Sequence, residues 1–253
     1  REILFEATPQ LYETVGEALR RHFPEHALKV PSFMGFASWI GGDRDGHPNV
    51  TAGITAFALA ENRAAALRWH AGQVRRLAAM LSVSANGVDI PEPFERALQS
   101  ALELSGAGEE LAVRNRNEPF RQFASAILCR LEAGLGSGSG VAYGSAEALA
   151  VDLRCLATTL EAVGARSASR RLVAPLLRQV ESFAFRTAAL DIRQNATVVN
   201  RVVAELLGAP ESGGPALQPA SPEWSRRLRE ALRGAESLAF DRHGLSEEAR
   251  ELL

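Results

Sequence analysis

The chain has 253 residues, 46% of them hydrophobic and 23% charged, with a net charge of −2 and a pI near 6.3. That balance argues against a nucleic-acid protein driven by bulk positive charge, and no apolar run reaches the roughly 18 residues needed to span a membrane. Two cysteines, Cys129 and Cys155, are too few for a disulfide scaffold or a zinc module, and the length suits one large domain or two small ones with an unstapled core.

The chain opens on Arg1 with no signal-peptide pattern behind it, which reads as a piece of something larger. Lys29 is its only lysine, so the basic charge rests on arginine. Residues 33–40 form an apolar and aromatic run that predicts a buried parallel strand. A helix follows over residues 51–82, with Leu67, Val74, Leu77, Ala78 and Leu81 on one face and Arg63, Arg68, Arg75 and Arg76 largely off it. Residues 85–93, with Asn-Gly and two prolines, read as a loop. The helical period returns over 119–133 through Phe120, Phe123, Ile127 and Leu131, with Pro119 in the first turn. The Gly/Ser run at 134–140 is a flexible connector. Residues 145–163 carry Leu149, Leu153, Leu156, Leu160 and Val163 on one stripe, with Ser145 as N-cap and Gly164 as stop. Residues 167–183 repeat the pattern through Leu172, Leu176, Val180 and Phe183. A second short apolar run, 185–192, predicts another buried strand. Shorter helices fit 197–207 and 222–233, separated by a Pro- and Gly-bearing connector over 209–221. Few strands among many helices point to a predominantly helical α/β chain, part of an elaborated α/β barrel.

Residues 38–51 read Ser-Trp-Ile-Gly-Gly-Asp-Arg-Asp-Gly-His-Pro-Asn-Val-Thr. Glycines here let the backbone take positive φ or approach a ligand closely. Asp43, Arg44 and Asp45 place opposite charges side by side at a strand's end, where α/β barrels build their sites. A calcium loop fails on spacing, because the twelfth position from Asp43 is Ile54 rather than Glu. The alternative is a salt-bridged turn that ties strand to helix. Asn49 and Asn195 match glycosylation sequons, by chance in the absence of a secretory signal.

Residues 38–51 resemble the signature of phosphoenolpyruvate carboxylases, of which Ser-Trp-Met-Gly-Gly-Asp-Arg-Asp-Gly-Asn-Pro-Asn-Val-Thr is a common form. Two further segments agree in order. Residues 118–121, Glu-Pro-Phe-Arg, resemble the family's Glu-Pro-Tyr-Arg, and residues 190–195, Leu-Asp-Ile-Arg-Gln-Asn, resemble its Leu-Asp-Ile-Arg-Gln-Glu. The resemblance covers nearly the whole chain. It implies that residues 1–253 are an incomplete sector of a TIM-barrel enzyme that joins bicarbonate to phosphoenolpyruvate, giving oxaloacetate and phosphate through carboxyphosphate and the pyruvate enolate. It also implies a magnesium or manganese ion, a cytoplasmic location and a homotetramer, with no nucleic-acid or membrane partner.

The resemblance carries over residue by residue. Arg193 matches the arginine that holds the substrate phosphate. Its place after an apolar run and its planar fork suit that role; a rim-shaping pair with Asp191 or a glutamate is the alternative. Trp39 matches a tryptophan lining the pocket by the substrate methylene, with core filling as the alternative. Asp43, Arg44 and Asp45 are expected to brace the mouth through ion pairs. His47 replaces the usual asparagine and adds a titratable group without a catalytic role. His22, His26, His70 and His243 read as surface or partner-paired helix residues. His22 and His26 stand four apart, a metal-pair spacing that an incidental solvated pair also gives. The family's Thr-Ala-His-Pro-Thr and Phe-His-Gly-Arg-Gly-Gly segments are absent, as are the later metal ligands and lysine. The chain then holds one wall of an active site and is inactive alone. A non-catalytic helical interaction domain of the same fold, or an unrelated anion-binding enzyme using Arg193 and Arg44, are the competing readings.

Overall fold

The computed structural model describes residues 2–45, 47, 49–207, 218–233 and 244–252. Gly46, Pro48, His243 and most of the expected 209–221 connector lie outside the described residues. In chain order the elements are α1 (Glu2–His22), strand β1 (Ala37–Ser38), α2 (Ala52–Met80), a 3-10 turn (Ala85–Gly87), α3 (Glu92–Ser105), α4 (Gly108–Arg114) and α5 (Pro119–Ala133). There follow α6 (Ala146–Ala162), the single turn α7 (Arg166–Ala168), a π-helical stretch (Ser169–Val173), α8 (Ala174–Phe183), strand β2 (Ala189–Leu190), α9 (Ala196–Leu206), α10 (Pro222–Arg233) and α11 (Glu247–Leu252).

Local chemistry sets several of these boundaries. Ser145 caps α6, its hydroxyl accepting from the Ala148 N–H at 3.2 Å. Gly164 beyond its end takes φ 83°. Pro119 opens α5 where no N–H is needed. The π-helical stretch stands just before Pro175. A proline there supplies no N–H to residue 171 and crowds its carbonyl, and a wider turn relieves both.

The predominantly helical reading holds, but the strands differ from expectation. Each is two residues long, and together they form one two-stranded parallel sheet in which Ala189 N–H donates to Phe36 O at 2.7 Å and Asp191 N–H to Ser38 O at 3.0 Å. Neither is buried: Ala37 and Ala189 are exposed, and Ser38 and Leu190 are half-buried. An apolar run reports that a strand could be covered on both faces; it cannot report how many neighbours the described chain supplies.

Two compact units divide the chain, Arg1–Ala37 with Ala60–Ala189, and Ser38–Leu59 with Leu190–Leu253. The first holds the main core, built from Leu67, Val74, Leu77 and Leu81 of α2 and its end, Phe120, Phe123, Ile127 and Leu131 of α5, and Leu149, Leu153, Leu156 and Leu160 of α6. These are the faces that the 3- and 4-residue spacings predict. Phe94 of α3 joins them, 5.0 Å from Phe120. A smaller cluster stacks Phe5 of α1 on Trp69 at 5.0 Å and against Phe183 at 4.1 Å. Arg130 lies 3.7 Å over the Tyr143 ring and pairs with Asp152 at 3.2 Å, while the Tyr143 hydroxyl donates to Asp152 at 2.6 Å. Burial, with the Asp152 charge beside it, pushes the Tyr143 hydroxyl up.

His70 lies fully buried in this unit. Its Nε2–H donates to Ala184 O at 2.8 Å, and its Nδ1 is buried without a partner. Ala184 has φ 52°, a conformation costly for a residue with a Cβ, and its carbonyl is held by that one ring nitrogen. In the second unit, Val202 of α9, Trp224 of α10 and Ala249 of α11 are buried.

Candidate functional site

The second unit brings the 38–45 segment and residues 190–195 together. Past β1, Gly42 O accepts from Arg193 N–H at 2.9 Å, and Arg193 O accepts from Arg44 N–H at 2.9 Å, so Asp43 and Arg193 form a parallel bridge. Both main-chain polar groups of Arg193 are thereby fixed. Gly41 takes φ 84°, and a Cβ on it would lie 2.4 Å from Ala58 Cβ. A Cβ on Gly42 would lie 2.3 Å from Asp191 O, a backbone atom that cannot swing aside. Gly42→Ala is therefore expected to cost about 1–3 kcal/mol, the usual cost of overpacking. Urea unfolding compared with Gly35→Ala, where a Cβ meets nothing within 4 Å, checks it; equal midpoints for the two variants would show that the close approach is unimportant.

Side chains converge on the same spot. The Arg193 guanidinium sits 5.0 Å over the Trp39 ring and 3.6 Å from the Asp43 carboxylate. The Trp39 Nε1–H donates to Asp191 Oδ2 at 3.2 Å. Trp39 is 58% exposed and the Arg193 side chain 49% exposed. Trp39 is thus at the surface of this chain, and among the described residues the ion-pair partner of Arg193 is Asp43, neither Asp191 nor a glutamate. The loose Asp43 contact leaves guanidinium N–H groups free to meet an incoming anion.

The other predicted bracing residues act differently from expectation. Arg44 donates to Glu251 O at 2.8 Å and to Thr55 Oγ1 at 3.2 Å, and its Nε is buried without a partner. Asp45 accepts from Asn195 Nδ2 at 3.3 Å, and its N–H donates to Asp43 Oδ1 at 3.2 Å. Among the described residues, then, only Asp43 braces through an ion pair; Arg44 and Asp45 use neutral partners. Asn195, a sequon residue by sequence, is the N-cap of α9, accepting from Thr197 N–H at 2.9 Å. His47 is exposed. His22 ends α1, and His26 lies in the turn beyond it, so the two share no helix face.

Sequence offers Asp191 only as an alternative partner of Arg193, and it does not mark Thr55 or Glu251. Asp191 sits two residues before Arg193 on a strand-like run, and so on the same side, but its partner is the Trp39 indole N–H. Glu251 carries no such mark, since it stands 207 residues from Arg44 along the chain. Among the described residues no three His, Cys, Asp or Glu groups stand close enough to hold a metal ion. These residues do not fit a divalent cation. A cavity of about 1410 Å³ lies in the first unit, walled in part by Arg20, Arg76, Arg154 and Arg178; none of the predicted site residues lines it.

Comparison with known proteins gives the family. The model of the phosphoenolpyruvate carboxylase family matches residues 1–253. The chain is 36% identical over 230 residues to the phosphoenolpyruvate carboxylase of Methylorubrum extorquens, covering 88% of this chain and 25% of that protein. It is 35% identical over 227 residues to that of Burkholderia mallei, covering 82% of this chain and 22% of that protein. The chain thus spans about a quarter of the length of the curated relatives it matches. With a family model matched end to end and the 38–51 and 190–195 motifs side by side in the fold, the chain belongs to the phosphoenolpyruvate carboxylase family.

Proposed function

We propose that this chain supplies the phosphate-binding wall of a phosphoenolpyruvate carboxylase, the enzyme that converts phosphoenolpyruvate and bicarbonate to oxaloacetate and phosphate. The observation that carries the reading is the stacked, half-exposed pair of Arg193 and Trp39, 5.0 Å apart. An enol phosphate has a polyanionic head and a small apolar methylene. A guanidinium fork beside an indole face offers one partner to each. In this reading Arg193 accepts the phosphate in place of its Asp43 contact, and Trp39 lies against the methylene. Asp43, Arg44 and Asp45 hold the loop that presents them. Fixed positive charge holds the phosphoryl group in place while its bond to the enol oxygen breaks, leaving the electron pair on the enolate, and a bond to a bicarbonate oxygen forms. Magnesium or manganese, the proton-transfer groups and the remaining barrel strands come from sequence other than this chain. The same family reading carries a cytoplasmic homotetramer; size measurement of a full-length protein carrying the chain tests the assembly.

Two experiments test the proposal. The 253-residue chain alone is expected to form no oxaloacetate from phosphoenolpyruvate, bicarbonate and magnesium in a coupled assay; turnover would show that the missing segments are dispensable. In a full-length enzyme carrying the chain, Arg193→Ala is expected to weaken phosphoenolpyruvate far more than bicarbonate. A full-length protein that binds neither substrate would support the non-catalytic helical interaction domain instead.

A further inference from the structure

The loop that carries Asp43 and Arg44 leaves the strand at Gly41 and enters α2 at Ala52. Both ends are tied into one ring of hydrogen bonds. Thr55 Oγ1–H donates to Gly41 O at 2.8 Å and accepts from Arg44 Nη2 at 3.2 Å. Arg44 Nη1 donates to Glu251 O at 2.8 Å. The Glu251 carboxylate accepts from the Ala52 N–H, while Thr51 Oγ1 accepts from Ile54 N–H at 3.3 Å. The first turn of α2 is therefore capped twice, once by its own Thr51 and once by α11. A carboxylate at that terminus also meets the positive end of the helix dipole.

α11 is itself anchored. Arg201 of α9 pairs with Glu248 at 3.2 Å, and Glu205 accepts from Ser246 N–H at 2.5 Å and from its hydroxyl at 2.6 Å. Ala249 is buried beneath them. The Arg44 Nε is buried without a partner, so the guanidinium depends on its two Nη contacts, to Thr55 and to Glu251.

We infer that Glu251 is a positioning residue for the Arg193 site. It reaches Arg193 only through the loop, using its carbonyl on Arg44 and its carboxylate on Ala52. The role rests on the phosphate-binding reading of Arg193. When the ring opens, the loop keeps its backbone bridge to Arg193 but loses the ties that brace that bridge from the Arg44 and Ala52 side.

The test has two arms. In a full-length protein carrying this chain, hydrogen exchange of amides over residues 41–52 is expected to speed up about five- to tenfold in Glu251→Ala, the size of a lost helix cap. Thr55→Val breaks the same ring at its centre without touching α11 and is expected to reproduce the change, whereas Glu247→Ala on the same helix leaves it unaltered. Unchanged exchange in both Glu251→Ala and Thr55→Val, or the same acceleration in Glu247→Ala, overturns the inference. In a full-length phosphoenolpyruvate carboxylase carrying this chain, Glu251→Ala is expected to raise KM for phosphoenolpyruvate about fivefold with kcat within about twofold. A fall in kcat with KM unmoved overturns the positioning role. Failure of the phosphate reading looks different: Arg193→Ala leaves KM unchanged while exchange over 41–52 still responds to Glu251→Ala.

Discussion

Arg193→Ala in a full-length enzyme carrying this chain is expected to lower kcat/KM for phosphoenolpyruvate by about 10²–10³, the loss typical of removing one preorganised donor from a charge-stabilising site. The argument starts from the backbone. Arg193 N–H and C=O are both paired, to Gly42 and Arg44, so the guanidinium projects from a fixed point. It is steered sideways by the Trp39 ring and the Asp43 carboxylate, at 5.0 and 3.6 Å. Alanine deletes the fork and leaves the indole face and an unopposed carboxylate, which repels phosphate. Arg193→Lys should recover part of the loss, because a point charge remains but the two-pronged geometry does not. Saturation curves for phosphoenolpyruvate and for bicarbonate, measured separately, check the result. Equal weakening of both, or no change, would reduce Arg193 to a rim ion pair with Asp43.

The second large effect is on stability and concerns His70. Burial without a partner for Nδ1 pushes this imidazole down to about 4 from an ordinary value near 6.5. The groups around it are Ala184 O and the rings of Phe5 and Phe185, none of which bears a charge. Between those two pH values the unfolded chain takes up a proton that the folded chain refuses. Stability contributed by the neutral ring is therefore whole above pH 6.5 and is lost as the pH falls toward 4. The loss is expected to reach about 3 kcal/mol at pH 4. Urea unfolding across that range checks it, with His70→Gln as reference: glutamine can still donate to Ala184 O but does not titrate. The difference between the two proteins should shrink or reverse on acidification. Parallel curves would mean that His70 finds a proton-accepting partner in solution.

The helices that build the core were legible because their apolar spacing is dense. Leu149, Leu153, Leu156 and Leu160 can only be one face, and all four are buried. α1, α3, α4 and α11 leave weaker marks in the sequence. In α1 the buried residues are Phe5, Thr8, Tyr12 and Gly16, two of them not apolar, and Pro9 sits inside the helix. In α3 the prolines at 91 and 93 read as a loop signal, yet Pro91 is its N-cap and Pro93 lies in its first turn, where proline is tolerated. Strand length was overread for the opposite reason: pattern alone does not count neighbouring strands.

Within the site, the motif order placed Trp39, Asp43 and Arg193, which the fold brings into contact. The partners of Arg44 could not be read, since one is a carbonyl on a helix far along the chain. Backbone acceptors have no residue type and leave no mark in a sequence. The charges of Arg44 and Asp45 suggested ion pairs, but their settings provide a carbonyl, a hydroxyl and an amide.

The most direct measurement is a crystal structure of a full-length enzyme carrying this chain with a non-reacting phosphoenolpyruvate analogue bound. The account predicts the phosphate oxygens within hydrogen-bond distance of the Arg193 guanidinium and the Trp39 ring against the methylene carbon. An analogue seated elsewhere, with Arg193 still on Asp43 and Trp39 facing solvent, would contradict it.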